Sequence, residues 1–247
     1  MKLYGLIGKN LDHSFSPEFF KNKFQKEKIN DASYKLFPLS DIPEFKLLIQ
    51  QNKDLSGLNV TIPYKQSIIS YLDELDLHAR NIGAVNTIQF VNQKLIGYNT
   101  DYLGFMDSLL PILSSRTIKA LIIGKGGSSL AVAYALKQLN IDFKFITRTP
   151  VDLNDLSYSQ LDKTTITNHN LIINTTPLGM FPNISEYPLI PYQYLTKDHL
   201  VYDLIYNPEK TQFLKFAKEY NAITKNGRQM LEIQADYSWK IWNNFHI

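Results

Sequence analysis

The stretch Ile118–Leu139, IKALIIGKGGSSLAVAYALKQL, constrains the fold more than any other part of the chain. It reads as strand, tight glycine turn and helix. Ala120–Ile123 is a short apolar run of the kind that a buried parallel strand requires. Gly124, Lys125, Gly126, Gly127 and Ser128 follow at once, and Leu130, Ala133, Ala135, Leu136 and Leu139 then recur at helical spacing. A glycine turn at a helix N-terminus exposes backbone N–H groups where the helix dipole adds positive charge, so it suits a pyrophosphate. Gly124 and Gly126 fit the first two glycines of G-x-G-x-x-G, Gly127 is additional, and Ser129 stands at the third glycine. An ordinary strand–helix turn is the alternative. The strand before and the helix after favour a nucleotide site.

A nucleotide fold normally begins at its glycine loop, yet about 120 residues precede this one, so a separate domain comes first. A length of 247 residues allows two modest domains. In the leading part, strands are expected at 2–7, 33–37 and 58–62, and helices at 17–29, 42–50 and 64–75. A hairpin is expected over 86–98 around Asn92, Gln93 and Lys94. After the glycine turn, strands are expected at 142–147, 171–174 and 200–205, with a short helix and strand within 150–170 and a helix at 209–220. The last helix, 229–245, carries Tyr237, Trp239, Trp242 and Phe245, which suit packing back onto the first domain. The expected fold is therefore α/β in two domains. The first, 1–101 plus 228–247, has a mostly parallel sheet; the second, 102–227, is Rossmann-type. A cleft where two domains meet is the usual place for a ligand.

Net charge is +3 and spread along the chain, which does not argue for nucleic acid. Cysteine is absent, excluding disulfides, thiolate metal sites and cysteine nucleophiles, and no metal is expected. The first residues lack the apolar core of a signal peptide, and no apolar run approaches the ~20 residues of a spanning helix. A soluble cytoplasmic protein, monomeric or homodimeric, is the expectation.

In Gly57–Lys65, Asn59 and Thr61 alternate with apolar residues and share one side of a strand. Pro63 suits a first helical turn, and Lys65 would then sit at the positive end of a helix dipole, where an ammonium gives up its proton more easily. A solvent-facing lysine is the plain alternative. Asp101, in Gly97–Asp101, either caps a helix or pairs with Lys65 to handle a proton beside a substrate hydroxyl. Ser16 and Pro17 read as helix cap and first residue, whereas Ser14 has no such role; the two hydroxyls also suit a carboxylate or polyol. Asn86 stands where asparagine is a poor strand former. Gln234 lies in a helical row with Met230, Tyr237 and Ile241, so its amide needs a partner, a ligand or a backbone carbonyl. The strand before 147 ends in Thr147, Arg148 and Thr149, with no acid for a ribose 2′-OH. An arginine with two threonines suits a 2′-phosphate, hence NADP.

With these residues in place, the chain resembles the shikimate dehydrogenase family from end to end. The matching motifs run in order: HSFSP (13–17), GLNVTIPYK (57–65), GAVNT (83–87), GYNTDYLGF (97–105), GKGGSS (124–129), NTTPLGM (174–180), DLIYNP (203–208) and NGRQMLEIQA (226–235). The resemblance implies NADP-dependent interconversion of shikimate and 3-dehydroshikimate in aromatic amino-acid biosynthesis. It implies that Ser14 and Ser16 bind the substrate carboxylate, that Tyr206 closes that end, and that Thr61, Asn86 and Gln234 hold ring hydroxyls. Lys65 and Asp101 would serve the hydroxyl being oxidised. Gly124, Lys125, Gly126, Gly127 and Ser128 would cradle the pyrophosphate, with Thr147, Arg148 and Thr149 at the 2′-phosphate and Leu204 and Gly227 at the nicotinamide. The alternatives are a quinate or quinate/shikimate dehydrogenase, using NAD in one version, and a silent NADP-binding sensor. The sequence departs from the family at Ser128, Thr147, Pro177 and Asp152. The last stands where a second arginine is usual, and an acid there repels phosphate.

Overall fold

The computed structural model describes residues 1–113 and 117–245. The chain divides into two compact units, Met1–Thr100 with the segment from Gln234 onward, and Asp101–Ile233.

The first unit contains β1 (Lys2–Gly8), α1 (Ser16–Lys26), β2 (Ala32–Pro38), α2 (Glu44–Gln51), β3 (Leu55–Val60), β4 (Glu74–Leu75), α3 (Leu77–Ile82), β5 (Thr87–Val91) and β6 (Lys94–Tyr98). Its sheet has the order β2-β1-β3-β5-β6-β4. β1 is parallel to β2 and β3, and β4 to β6, while β5 runs antiparallel to β3 and β6. Alternation along β1 sorts its side chains: Leu3 and Ile7 enter a core with Phe45, Leu58, Ile68 and Ile88, and Tyr4 faces the other way.

The second unit contains α4 (Asp101–Leu109), β7 (Lys119–Ile123), α5 (Gly127–Gln138), β8 (Asp142–Ile146), β9 (Asp155–Leu156), α6 (Lys163–Asn168), β10 (Leu171–Asn174), β11 (Leu200–Asp203), α7 (Gln212–Glu219) and β12 (Ile223–Lys225). Its sheet is parallel throughout, in the order β12-β11-β10-β7-β8-β9. The chain leaves β7 towards β8 and returns on the far side at β10. That reversal is the switch point at which open α/β sheets bind ligands.

The last helix, α8 (Arg228–Trp242), starts in the second unit and ends in the first. There Trp239 and Trp242 join Tyr4, Phe20 and Phe24 in a second core. Phe245 does not take part and is 61% exposed. No helix among the described residues is long and apolar enough to cross a membrane.

One expectation of local structure needs correction. The helix expected at 64–75 is a run of turns, a 3₁₀ segment at Ser67–Tyr71 and the short strand β4. Leu72 and Leu75 lie so close over Gly97 of β6 that a Cβ there would strike both. Asp73 exchanges two bonds with Leu95, its N–H donating to the carbonyl at 3.0 Å and its carboxylate accepting from the N–H at 2.8 Å. Pairing with β6 thus replaces the helix. Two further elements, α3 and β12, were not anticipated.

Candidate active site

In the first unit, the predicted residues gather at one edge of the sheet, beyond the carboxyl ends of β1, β3 and β6 and the start of β5. Asn86 is the hub. Its amide nitrogen donates to Gln234 Oε1 at 3.1 Å and to Thr100 Oγ1 at 2.9 Å, and its amide oxygen accepts from the Thr100 backbone N–H at 2.7 Å. Asn59 donates to Ser238 Oγ at 2.9 Å and accepts from the Tyr34 hydroxyl at 2.8 Å. Thr87 and Ser238 share a hydroxyl bond of 2.8 Å. All of these except Tyr34 are buried, so their pairing is obligatory and locks the amides in place. The Gln234 amide oxygen thus finds its partners in a side-chain amide and a hydroxyl, accepting from Asn86 and Thr100.

Lys65 is anchored to the same hub through its backbone, its carbonyl accepting from Val85 N–H at 2.7 Å, one residue before Asn86. It lies in a turn ahead of the 3₁₀ segment, so no α-helix N-terminus stands behind its ammonium, contrary to expectation. Thr61 follows β3, and its N–H donates to Ile7 carbonyl at 2.9 Å. Ser16 is not the cap expected: Phe15 is the N-cap of α1 and Ser16 its first residue. Ser14 Oγ accepts from Ser16 N–H at 3.3 Å at the head of α1, while the Ser16 side chain bonds to Tyr34. Burial pushes the Tyr34 phenol well up, and the bond from Ser16 opposes this in part.

In the second unit, the predicted residues also lie beyond the carboxyl ends of the strands. Gly124 has φ +104°, and a Cβ there would come within 2.8 Å of Thr175 Oγ1. Only glycine suits this place. Gly126 caps α5 without any side-chain bond, and a Cβ on it would point into open space, which leaves the backbone at the helix start open to an anion. The Gly124 N–H donates to Ile146 carbonyl at 2.9 Å, which holds the turn beside the start of Thr147–Thr149. Arg148 and Thr149 are exposed. Gly227 lies directly on the Leu204 carbonyl, and its N–H donates to Ile205 carbonyl at 3.0 Å. Tyr206 is half-buried, and Asp101 is buried at the first turn of α4. The residues fit a dinucleotide: a glycine cradle, a cation beyond β8 and close backbone beyond β11 and β12.

A cluster that sequence reasoning missed ties these loops together. The Asp203 carboxylate accepts from Thr211 Oγ1 at 2.6 Å, Asn174 Nδ2 at 3.0 Å and Ile205 N–H at 3.1 Å. An acid inside the apolar run 200–205 was the available signal. Burial raises its pKa to about 6, against the lowering effect of those three bonds. The folded state therefore keeps this proton to higher pH than the unfolded chain does. Stability is lost as pH rises through about 4 to 6, by on the order of 2–3 kcal/mol in full. The expected result for Asp203→Asn is a flatter dependence of Tm on pH across that window than in the wild type. Calorimetric scans at a series of pH values check it, and parallel curves would refute it.

Comparison with known proteins is consistent along the whole chain. Residues 6–88 match the family model described as shikimate dehydrogenase substrate binding domain. The chain is 43% identical to the shikimate dehydrogenase (NADP(+)) of Methanococcus maripaludis, covering 98% of this chain and 91% of that one. Identity to the protein of the same description from Clostridium botulinum strain Hall is 40%, with coverage of 96% and 95%. A crystal structure of a shikimate dehydrogenase in complex with NADP+ superposes with a TM-score of 0.87 at 35% identity, covering all of this chain and 91% of the other.

Proposed function

The chain belongs to the shikimate dehydrogenase family, and from that we propose that it reduces 3-dehydroshikimate to shikimate, reversibly, with NADPH in the cytoplasm. What carries this reading is that identities of 43% and 40% extend over 98% and 96% of the chain, and so into both units.

The first unit holds the substrate. Ser14 and Ser16, at the head of α1, take its carboxylate, and Tyr206 closes that end. Thr61, Asn86 and Gln234 hold ring hydroxyls. Because Asn86 and Gln234 are already fixed by buried bonds, they meet a hydroxyl with little left to order, which favours a rigid polyol. The second unit holds NADP, with Gly124–Ser128 at the pyrophosphate, Thr147–Thr149 at the 2′-phosphate, and the backbone of Leu204 and Gly227 at the nicotinamide. The cofactor supplies a hydride donor and acceptor. Lys65 removes the proton from the hydroxyl oxygen as the ring carbon is oxidised, and returns it in the other direction. Asp101 is the second member of this proton-handling pair.

The test is the near-ultraviolet absorbance of reduced nicotinamide with shikimate as substrate. Reduced cofactor should accumulate quickly with NADP+, as NADPH, and more slowly with NAD+, as NADH. No signal with either cofactor would overturn the proposal.

A further inference from the structure

The end of the second sheet away from the glycine turn also carries a cavity. It measures about 580 Å³ and opens at the amino ends of β7, β8 and β10. The length of β7, about 15 Å, separates it from Gly124. Lys119, Lys137, Lys144 and His169 line it, with Phe143 as its aromatic ring and Asp142 as its one acid among the described residues.

Two of the lysines have ordinary explanations. Lys137 sits in the last turn of α5 and complements the negative end of that helix, and Lys119 opens a strand. Lys144 has neither excuse. β8 lies between β7 and β9, and an interior strand of a parallel sheet is normally apolar on both faces. Lys144 nevertheless stands between Phe143 and Phe145 and is half-buried. Like Lys119 and Lys137, it has no ion-pair partner among the described residues. The strand register sets Lys119 beside Asp142 and Leu121 beside Lys144, so Lys119, Asp142 and Lys144 share one face of the sheet. Three ammonium groups against one carboxylate leave two positive charges unbalanced.

We propose that this cavity is a second anion site, which takes a phosphorylated small molecule of nucleotide size. A terminal phosphoryl group carries about two negative charges near neutral pH, which matches the imbalance, and lysines bind phosphate as point charges. The volume lies within the range of small-molecule sites and is many times the ~30 Å³ that a water takes up, so a bare phosphate would leave most of it to solvent. Phe143 offers a ring against which a base can lie. His169 adds a sensor. Its Nδ1–H donates to the Thr165 carbonyl at 2.7 Å. Burial lowers its pKa, and the charges of Lys144 on β8 and Lys119 on β7 lower it further, against that bond. Asp142 is the acid of the same cavity. An anion seated here offsets the two lysines and moves the imidazole pKa up.

The test is titration calorimetry of the whole protein in saturating NADP+, with 5′-ADP, inorganic pyrophosphate and inorganic phosphate as probes. ADP should bind most tightly, with Kd below about 1 mM. Lys144→Gln and Lys119→Gln should each weaken it about fivefold or more, the worth of one charge pair near contact in water, and Asp142→Asn should strengthen it by a similar factor. Turnover of shikimate should be the same in all three variants. In proton NMR the His169 resonance, assigned from its loss in His169→Gln, should titrate at higher pH when ADP is present. ADP bound at the glycine turn instead would be insensitive to these substitutions, and that result overturns the proposal. So does the absence of binding by all three probes. Phosphate binding as tightly as ADP would overturn the assignment to a nucleotide-sized ligand.

Discussion

Replacing Lys65 with alanine should lower kcat for shikimate oxidation by about 100- to 10,000-fold, the usual worth of a positioned acid or base, while KM changes only a few-fold. The asymmetry follows from the way the site is built. Substrate hydroxyls are assigned to Asn86 and Gln234, whose side chains bond to each other and to Thr100. Lys65 touches that hub through its backbone, by way of the Val85 N–H, and this bond survives any side-chain change. The variant should thus keep its substrate site and lose its proton carrier. Lys65→Arg sharpens the test, because a guanidinium keeps the positive charge but does not give up its proton near neutral pH. If charge alone mattered, arginine would restore much of the rate; proton transfer requires that it does not. Steady-state kinetics with both variants decides the matter, and an unchanged kcat for Lys65→Ala would remove the residue from the chemistry.

The second large effect is on stability. Trp242→Ala should cost about 3–5 kcal/mol, as for other buried aromatic truncations. At this chain length that lowers Tm by roughly 6–20 °C. Trp242 is 5% exposed, its ring stacks on Tyr4 with centroids 4.8 Å apart, and its indole N–H donates to the Ile88 carbonyl at 3.0 Å. It also lies directly over Gly57 of β3, where any Cβ would collide with the indole. One side chain therefore reaches β1, β3 and β5, and its loss opens a cavity across all three. Phe245→Ala is the control. That ring is 61% exposed, and its removal should change stability by less than about 0.5 kcal/mol. Thermal scans of the two variants check the contrast, and equal Tm values would contradict it.

What could be read from the sequence follows from where the decisive interactions lie. The strand, glycine turn and helix of 118–139 were legible because each depends on neighbours within a few residues. So was the hairpin, whose turn residues Asn92 and Gln93 adopt φ +50° and +64°. The region 64–75 was not legible, because its apolar spacing suits a helix while its partner, β6, lies some twenty residues away. α3 is a different case. Asp76 accepts from the Ala79 and His78 N–H groups, and Gly83 closes the helix at φ +72°, so both end signals stood in the sequence. The candidate site residues were picked out as residues with awkward local roles, and that criterion has limits. It located Asn86 and Gln234 but not that they bond to each other, since 148 positions separate them. It also missed Asp203, whose partners are visible only once the strands are assembled.

The return of α8 to the first unit also sets the order in which the protein can be completed. Domains fold as units while the chain is made, at about 5–20 residues per second. Tyr4, Phe20 and Phe24 emerge early, but Trp239 and Trp242, which cover them, are made only after the whole second unit. The first-born half thus waits on the order of seven to thirty seconds with an aromatic face uncovered. During that interval the contiguous second half can finish ahead of it. A nascent chain halted before 239 should be the form most dependent on chaperones, although every strand of both sheets has already been synthesised.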